Sequence, residues 1–181
     1  MMQHSTRRLV YLSFMIALSI ILTRIFSIRI AIGGVEGIRI GFGGLPIIIA
    51  GILFGPLAGG IVGAVSDVLG YIINPMGAYM PHFTISSFLT GFIPGLIMYY
   101  LFKQKINYLT LLIAIAVGQT ITSVLLVPLF LEMLFAVPFK ATIIPRIVGQ
   151  LIHIPIYAYV IKALLRYDLI KSNCAGCNVS V

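Results

Sequence analysis

Long apolar stretches, parted by short polar intervals, run almost the whole length of this chain. Their lengths predict helices that cross a bilayer. Residues 8–27, 84–102, 108–131 and 141–165 each approach or exceed the ~20 residues that one span needs. The apolar run over 45–73 is different, because Gly55-Pro56 interrupts it. Proline ends a helix and glycine permits the turn that follows. Two short helices are therefore predicted there, each ~24 Å if 16 residues long. Either the first starts nearer Arg39 or the pair is shielded locally by protein. The pattern as a whole gives six helices.

The placement of charge orients them. Arg7, Arg8, Lys103, Lys105, Lys162, Arg166 and Lys171 fall at segment ends, where positive residues mark the cytoplasmic side. With a basic N-terminus inside, the Lys103-Gln-Lys105 loop is also inside only if an even number of spans precedes it. That favours two helices over 45–73 and puts both termini in the cytoplasm. The N-terminus looks like a signal peptide, but no small-residue cleavage site follows and Arg24 comes next. It is read as a retained first span. The outer segments are then 27–44, 74–83 and 132–140. The first is long and glycine-rich and carries Arg29, Glu36 and Arg39, as lids and binding loops often do.

Composition agrees with this reading. Of 181 residues, 60% are hydrophobic and 9% charged, with a mean hydropathy of +1.13. A soluble domain of that size would lack the polar surface to cover its core. The fold class is an all-α integral membrane protein, a single domain over 1–170 with a polar tail over 171–181. The net charge of +8 is spread over helix ends with no aromatic-interleaved patch, so no nucleic-acid partner is expected. Cys174 and Cys177 form one C-x-x-C in the tail. A zinc site normally takes four ligands, so no metal is expected, and the tail is read as frayed.

Asp67 is the one formally charged side chain between Arg39 and Lys103. Placing an aspartate at the bilayer centre costs roughly 2.5–3.5 kcal/mol, so such residues face a partner, a cavity or a ligand. It ends a segment with glycine at 51, 55, 59 and 63, a four-residue spacing that lets helices touch backbone to backbone in lipid. By depth, Arg24, Asp67, Thr84, Ser86, Ser87 and Thr90 fall in the outer half of the bilayer. So does the first part of the last span, where Arg146, Gln150 and His153 share one helical face at i, i+4 and i+7. A polar cavity opening outward under the first loop follows. Each residue has a plainer alternative. Asp67 pairs structurally with Arg146 or Arg24; Arg24 and Lys140 snorkel; Thr84, Ser87 and Thr90 bond their own backbone or a neighbouring helix; Tyr71, Tyr79 and Phe83 form an interfacial belt; His82 is a loop residue without a role. Gln119, Thr120, Thr122 and Ser123 lie deeper and are read as bonding between helices.

There is no P-loop, no nucleophile-and-base set and no metal pattern. One intramembrane carboxylate is too few for the usual ion-driven transporter with inverted repeats. The chain is expected to bind rather than catalyse, without its own energy source and without a cofactor.

At Arg39-Ile-Gly-Phe-Gly-Gly-Leu-Pro46, Leu53-Phe-Gly-Pro56, Gly59 to Asp67-Val-Leu-Gly70, and Pro81-His-Phe-Thr-Ile-Ser-Ser-Phe-Leu-Thr-Gly-Phe-Ile-Pro-Gly95, the sequence resembles the substrate-binding (S) subunits of energy-coupling-factor (ECF) vitamin transporters. It is most similar to the folate-specific ones, over about residues 5–170. The resemblance implies capture of a vitamin from outside, in the multi-pass setting of a prokaryotic cell membrane. It also implies docking onto a transmembrane (T) subunit and two ATPase subunits. In that family small residues spaced by four on the first helix contact the T subunit; Ser13 and Ala17 fit, and Ile21 does not. Folate chemistry suits the inventory. Asp67 would accept the pterin amino edge, and Phe42, Tyr79 or Phe83 would stack on its rings. Arg24, Arg39 or Arg146 would fork the glutamate tail. His82, Thr84, Ser87 and Gln150 complete the candidate set. Another S-subunit solute (a queuosine precursor, pantothenate or riboflavin) and a membrane scaffold are the alternatives.

Overall fold

The computed structural model describes residues 2–24, 28–32, 35–73, 79, 81–103, 106–135 and 138–166. The Lys105, Lys171, Cys174 and Cys177 readings lie outside the described residues, as do the 171–181 tail and the side chains of Arg39 and Lys140.

The elements are α1 (Met2–Arg24), β1 (Ile28–Ile32), β2 (Val35–Ile40), α2 (Gly44–Phe54), α3 (Pro56–Ile73), α4 (Pro81–Leu96), α5 (Tyr108–Gln119), α6 (Val127–Phe135) and α7 (Phe139–Arg166). α4 runs on into a π-helical turn, Ile97–Leu101, and a second π-helical stretch, Thr120–Leu126, joins α5 to α6 in one rod. Among the described residues, five helical segments are long and apolar enough to cross a membrane, and Gly44–Phe54 is a sixth, shorter apolar helix.

The break at Gly55-Pro56 is where the sequence places it. Gly55 sits at φ 97°, ψ 166°, a region only glycine enters without strain. Pro56 then opens α3, at the one helical position where its missing N–H costs nothing. α2 does not extend toward Arg39, however. It begins at Gly44, because residues 35–40 are in a strand.

The first outer segment is therefore more than a loop. β1 and β2 pair antiparallel from Ile28↔Ile40 to Ile32↔Val35, with an irregularity between Ile30 and Ala31. The alternation Ile28-Arg-Ile-Ala-Ile32 is the period-2 signature of a strand. β2 packs against α7.

Glycine holds the α2–α3–α4 layer together. A Cβ at Gly51 would strike the Gly91 carbonyl, and one at Gly91 would strike that of Gly59. At Gly63 the obstacle is the carbonyl of Ser87, and at Gly95 the Gly51 carbonyl lies 2.7 Å away. These are backbone-to-backbone contacts, reached because small residues let helices approach closely. Around them the core is aliphatic, with Ile48, Ile52, Met98, Leu111, Ile115 and Ile161 fully buried. At the elbow end, Arg8 donates to the Phe54 carbonyl at 2.7 Å and Tyr11 stacks on Phe54, fastening α1 to the turn.

Candidate functional site

At the hairpin end of the bundle the polar residues form two groups. The first lies between α3 and α4. Asp67, half-buried on α3, accepts a hydrogen bond from the Thr84 hydroxyl at 2.8 Å. Thr84 in turn lies 2.9 Å from the Tyr79 hydroxyl, and the Tyr79 ring leans on Tyr71 with centroids 5.2 Å apart. The helices fix this arrangement. Gly63, one turn below Asp67, brings α3 against the Ser87 backbone of α4, so the acid and the threonine face each other across a close seam.

The partner given to Asp67 is a hydroxyl, not an arginine. It turns toward α4 rather than toward the arginine and glutamine of α7. Thr84 takes one of roughly four acceptor positions on the carboxylate, which leaves capacity for a ligand. Arg24, half-buried at the end of α1, lies over Gly70 of α3, where a methyl group would sit 3.2 Å from its Nε. Gly70 is three residues beyond Asp67, so the cation and the acid lie along the same side of α3.

The second group joins α5, α7 and the approach to α2. Gln150 Nε2 donates to Gln119 Oε1 at 3.3 Å, which also receives the Ser123 hydroxyl at 3.0 Å. His153 Nδ1 lies 2.7 Å from the Gly149 carbonyl. Phe42, His153 and Tyr157 form a triangle of rings with centroids 5.6–6.3 Å apart. Tyr157 donates to the Gly41 carbonyl at 2.7 Å, and Ser19 donates to that of Gly43 at 2.9 Å. These two bonds pin the segment that enters α2.

The remaining candidates are distributed around these groups. His82 is half-buried against Phe130, with centroids 4.9 Å apart, so it has a packing place at the hairpin end of the bundle. Phe83 and Ser87 are half-buried on α4, and Arg146 is half-buried one turn before Gln150 on α7. Arg39 lies opposite Arg29 in the hairpin. Ser86 and Thr90 bond backbone carbonyls of their own helix, which for Thr90 is the plainer reading. Thr122 does the same, while Gln119 does bond between helices. Ser13 and Ala17 are exposed on α1, as is Ile21, and α1 is the least buried of the five long segments. Tyr157 escaped sequence reasoning, although it continues the 146, 150, 153 series at i+11. Phe42 was named only as a stacking candidate, and its place beside His153 depends on the strand that precedes it.

A family model described as the ECF-type riboflavin transporter S component matches residues 3–163. The chain belongs to this family of ECF transporter S components. It is 39% identical over 153 residues to the folate transporter FolT of Clostridium novyi (strain NT), covering 84% of each chain. The riboflavin transporter FmnP of Bacillus subtilis (strain 168) is 33% identical over 89 residues, about half of each chain. Among solved structures, FolT bound with folic acid superposes with a TM-score of 0.75 at 28% identity, covering 91% of this chain and 97% of that one. The S component for biotin reaches the same TM-score at 21% identity, over 95% and 97%, which speaks for the fold alone. This S component is thus a multi-pass membrane protein of a transporter, not an enzyme.

Proposed function

We propose that this protein captures folate at the outer face of the cell membrane for uptake by an ECF-type importer. Partner ATPase subunits supply the energy, through a T subunit docked on the exposed face of α1 that carries Ser13 and Ala17. The observation that carries the reading is the 39% identity to a folate transporter sustained across 84% of both chains. In this topology six helices cross the membrane, both termini are cytoplasmic, and the hairpin end faces outward.

The site chemistry fits. A pterin presents an amino group and a ring N–H side by side, and Asp67 is positioned by Thr84 to accept from both. Tyr79, Phe83 and His82 border that place, with Ser87 one turn further along α4. Folate's glutamate tail is anionic, and Arg24, Arg39 or Arg146 would hold it with a guanidinium fork. Riboflavin is the second reading, favoured by the description of the matching family model and by the partial likeness to FmnP.

Calorimetry on the purified full chain with folic acid, riboflavin, pantothenate and a queuosine precursor separates these. Folic acid is expected to bind tightest, and Asp67→Asn to weaken it by at least about tenfold, on the scale of one charge-assisted hydrogen bond. Tighter riboflavin binding would sink the folate reading, and an unchanged affinity in Asp67→Asn would remove Asp67 from the site.

A further inference from the structure

On the face of α7 that also carries Arg146, Gln150 Oε1 and His153 Nε2 are buried with no hydrogen-bond partner among the described residues. His153 is only 7% exposed. Buried polar groups are nearly always paired, so each such atom calls for an explanation.

The geometry fixes what both atoms offer. A carbonyl oxygen can only accept, so His153 Nδ1, facing the Gly149 carbonyl at 2.7 Å, carries the hydrogen. In the neutral ring Nε2 is then a bare acceptor. The orientation of Gln150 is given by its bond to Gln119. Its Nε2 is committed to Gln119 Oε1, which leaves Oε1, a second acceptor, one helical turn from the imidazole. Gln119 is itself held by Ser123, across the start of the π-helical stretch Thr120–Leu126. Such stretches are rare and often lie at functional sites. Beside the imidazole are the Phe42 ring, at a centroid distance of 6.2 Å, and the Tyr157 ring, at 5.6 Å.

We propose that Gln150 Oε1 and His153 Nε2 form an acceptor pair that receives N–H groups of the transported ligand, making α7 a specificity-determining wall distinct from Asp67. The ligand class is a planar nitrogen heterocycle or aryl amide whose ring lies beside Phe42. That the ligand is folate rests on the reading above; the acceptor character of the pair does not. A site built to hydrogen-bond an N–H rejects analogues lacking it, because its own buried groups are then left unpaired.

The test uses the full chain in detergent with 15N-labelled histidine. The sequence has three histidines, and a His153→Phe sample assigns the signal of His153. Saturating folic acid is expected to move the Nε2 resonance in the direction of hydrogen-bond acceptance. Calorimetry is expected to show folic acid binding at least about tenfold more weakly to His153→Phe, which keeps a ring beside Phe42 and Tyr157, and to Gln150→Leu. Ligand-free thermal midpoints should stay near that of the unaltered protein. An unmoved Nε2 signal in the saturated protein overturns the proposal, as does unaltered binding by both variants; the pair would then be satisfied by water. Failure of the unaltered protein to bind folic acid would instead sink the folate reading. In that event the same labelled sample, saturated with whichever vitamin binds, decides the acceptor pair by the same shift.

Discussion

The α2–α3–α4 layer and the α5–α7 seam solve helix association in opposite ways. In the first, glycines at 51, 59, 63, 91 and 95 bring carbonyls and α-carbons into direct contact, with the Ile47 side chain packed beside Gly63 and Gly91. In the second, the helices meet through amides, a hydroxyl and aromatic rings, with Gln119 as the junction. Lipid tails are as apolar as leucine, so neither seam is driven by the hydrophobic effect between helices. The glycine layer gains its stability from close packing alone and has nothing to offer a solute. The amide seam keeps hydrogen-bonding groups that a ligand can use. The contrast is between a seam closed by backbone and one closed by side chains, and α3 joins the two kinds by ending its glycine run at Asp67.

The comparison predicts unequal sensitivity to substitution. The largest effect is expected from Gly91→Val, whose side chain has to displace the Gly59 carbonyl. Overpacking of this kind costs typically 1–3 kcal/mol or more, so the variant should unfold at a clearly lower temperature in detergent or fail to yield monodisperse protein. Wild-type behaviour would mean that the layer is looser than a backbone-to-backbone seam. Gln119→Leu attacks the other seam. It leaves Gln150 Nε2 without its acceptor, and interhelical hydrogen bonds in membranes average about 0.6 kcal/mol. A small fall in melting temperature should therefore accompany a larger loss of folic acid affinity, as the Gln150 amide is released. A stability loss equal to that of Gly91→Val would erase the distinction between the seams. The smallest change belongs to Arg8→Ala, which removes one bond to the last carbonyls of α2. A few tenths of a kcal/mol to about 1 kcal/mol is expected, with folic acid binding untouched.

Much of this was legible in the chain. The four-residue glycine spacing foretold the close seam, and Gly55-Pro56 foretold the elbow, because both rest on local backbone sterics. The i, i+4, i+7 spacing of Arg146, Gln150 and His153 put them on one face. The hairpin was harder to read. Its strands are short, and the alternation in 28–32 is followed by Gly33-Gly34 and Gly37, which resemble loop punctuation. Asp67 was recognised as costly, but the arginines offered as partners were chosen by charge. A hydroxyl 17 residues away supplied the bond.

What the sequence determined by itself was lipid solubility, the number and breaks of the apolar segments, and the acid that had to be answered for. Periodicity, length and proline or glycine chemistry act over a few residues, so they survive without a fold. The tertiary structure alone decided which groups meet: Asp67 with Thr84, Tyr157 with the Gly41 carbonyl 116 positions away, and Gln119 with Gln150. It also decided that His153 Nε2 is buried without a hydrogen-bond partner among the described residues. Those pairings depend on how six helical segments close around one another, and a hydrogen bond forms only when that closure brings donor and acceptor within about 3 Å.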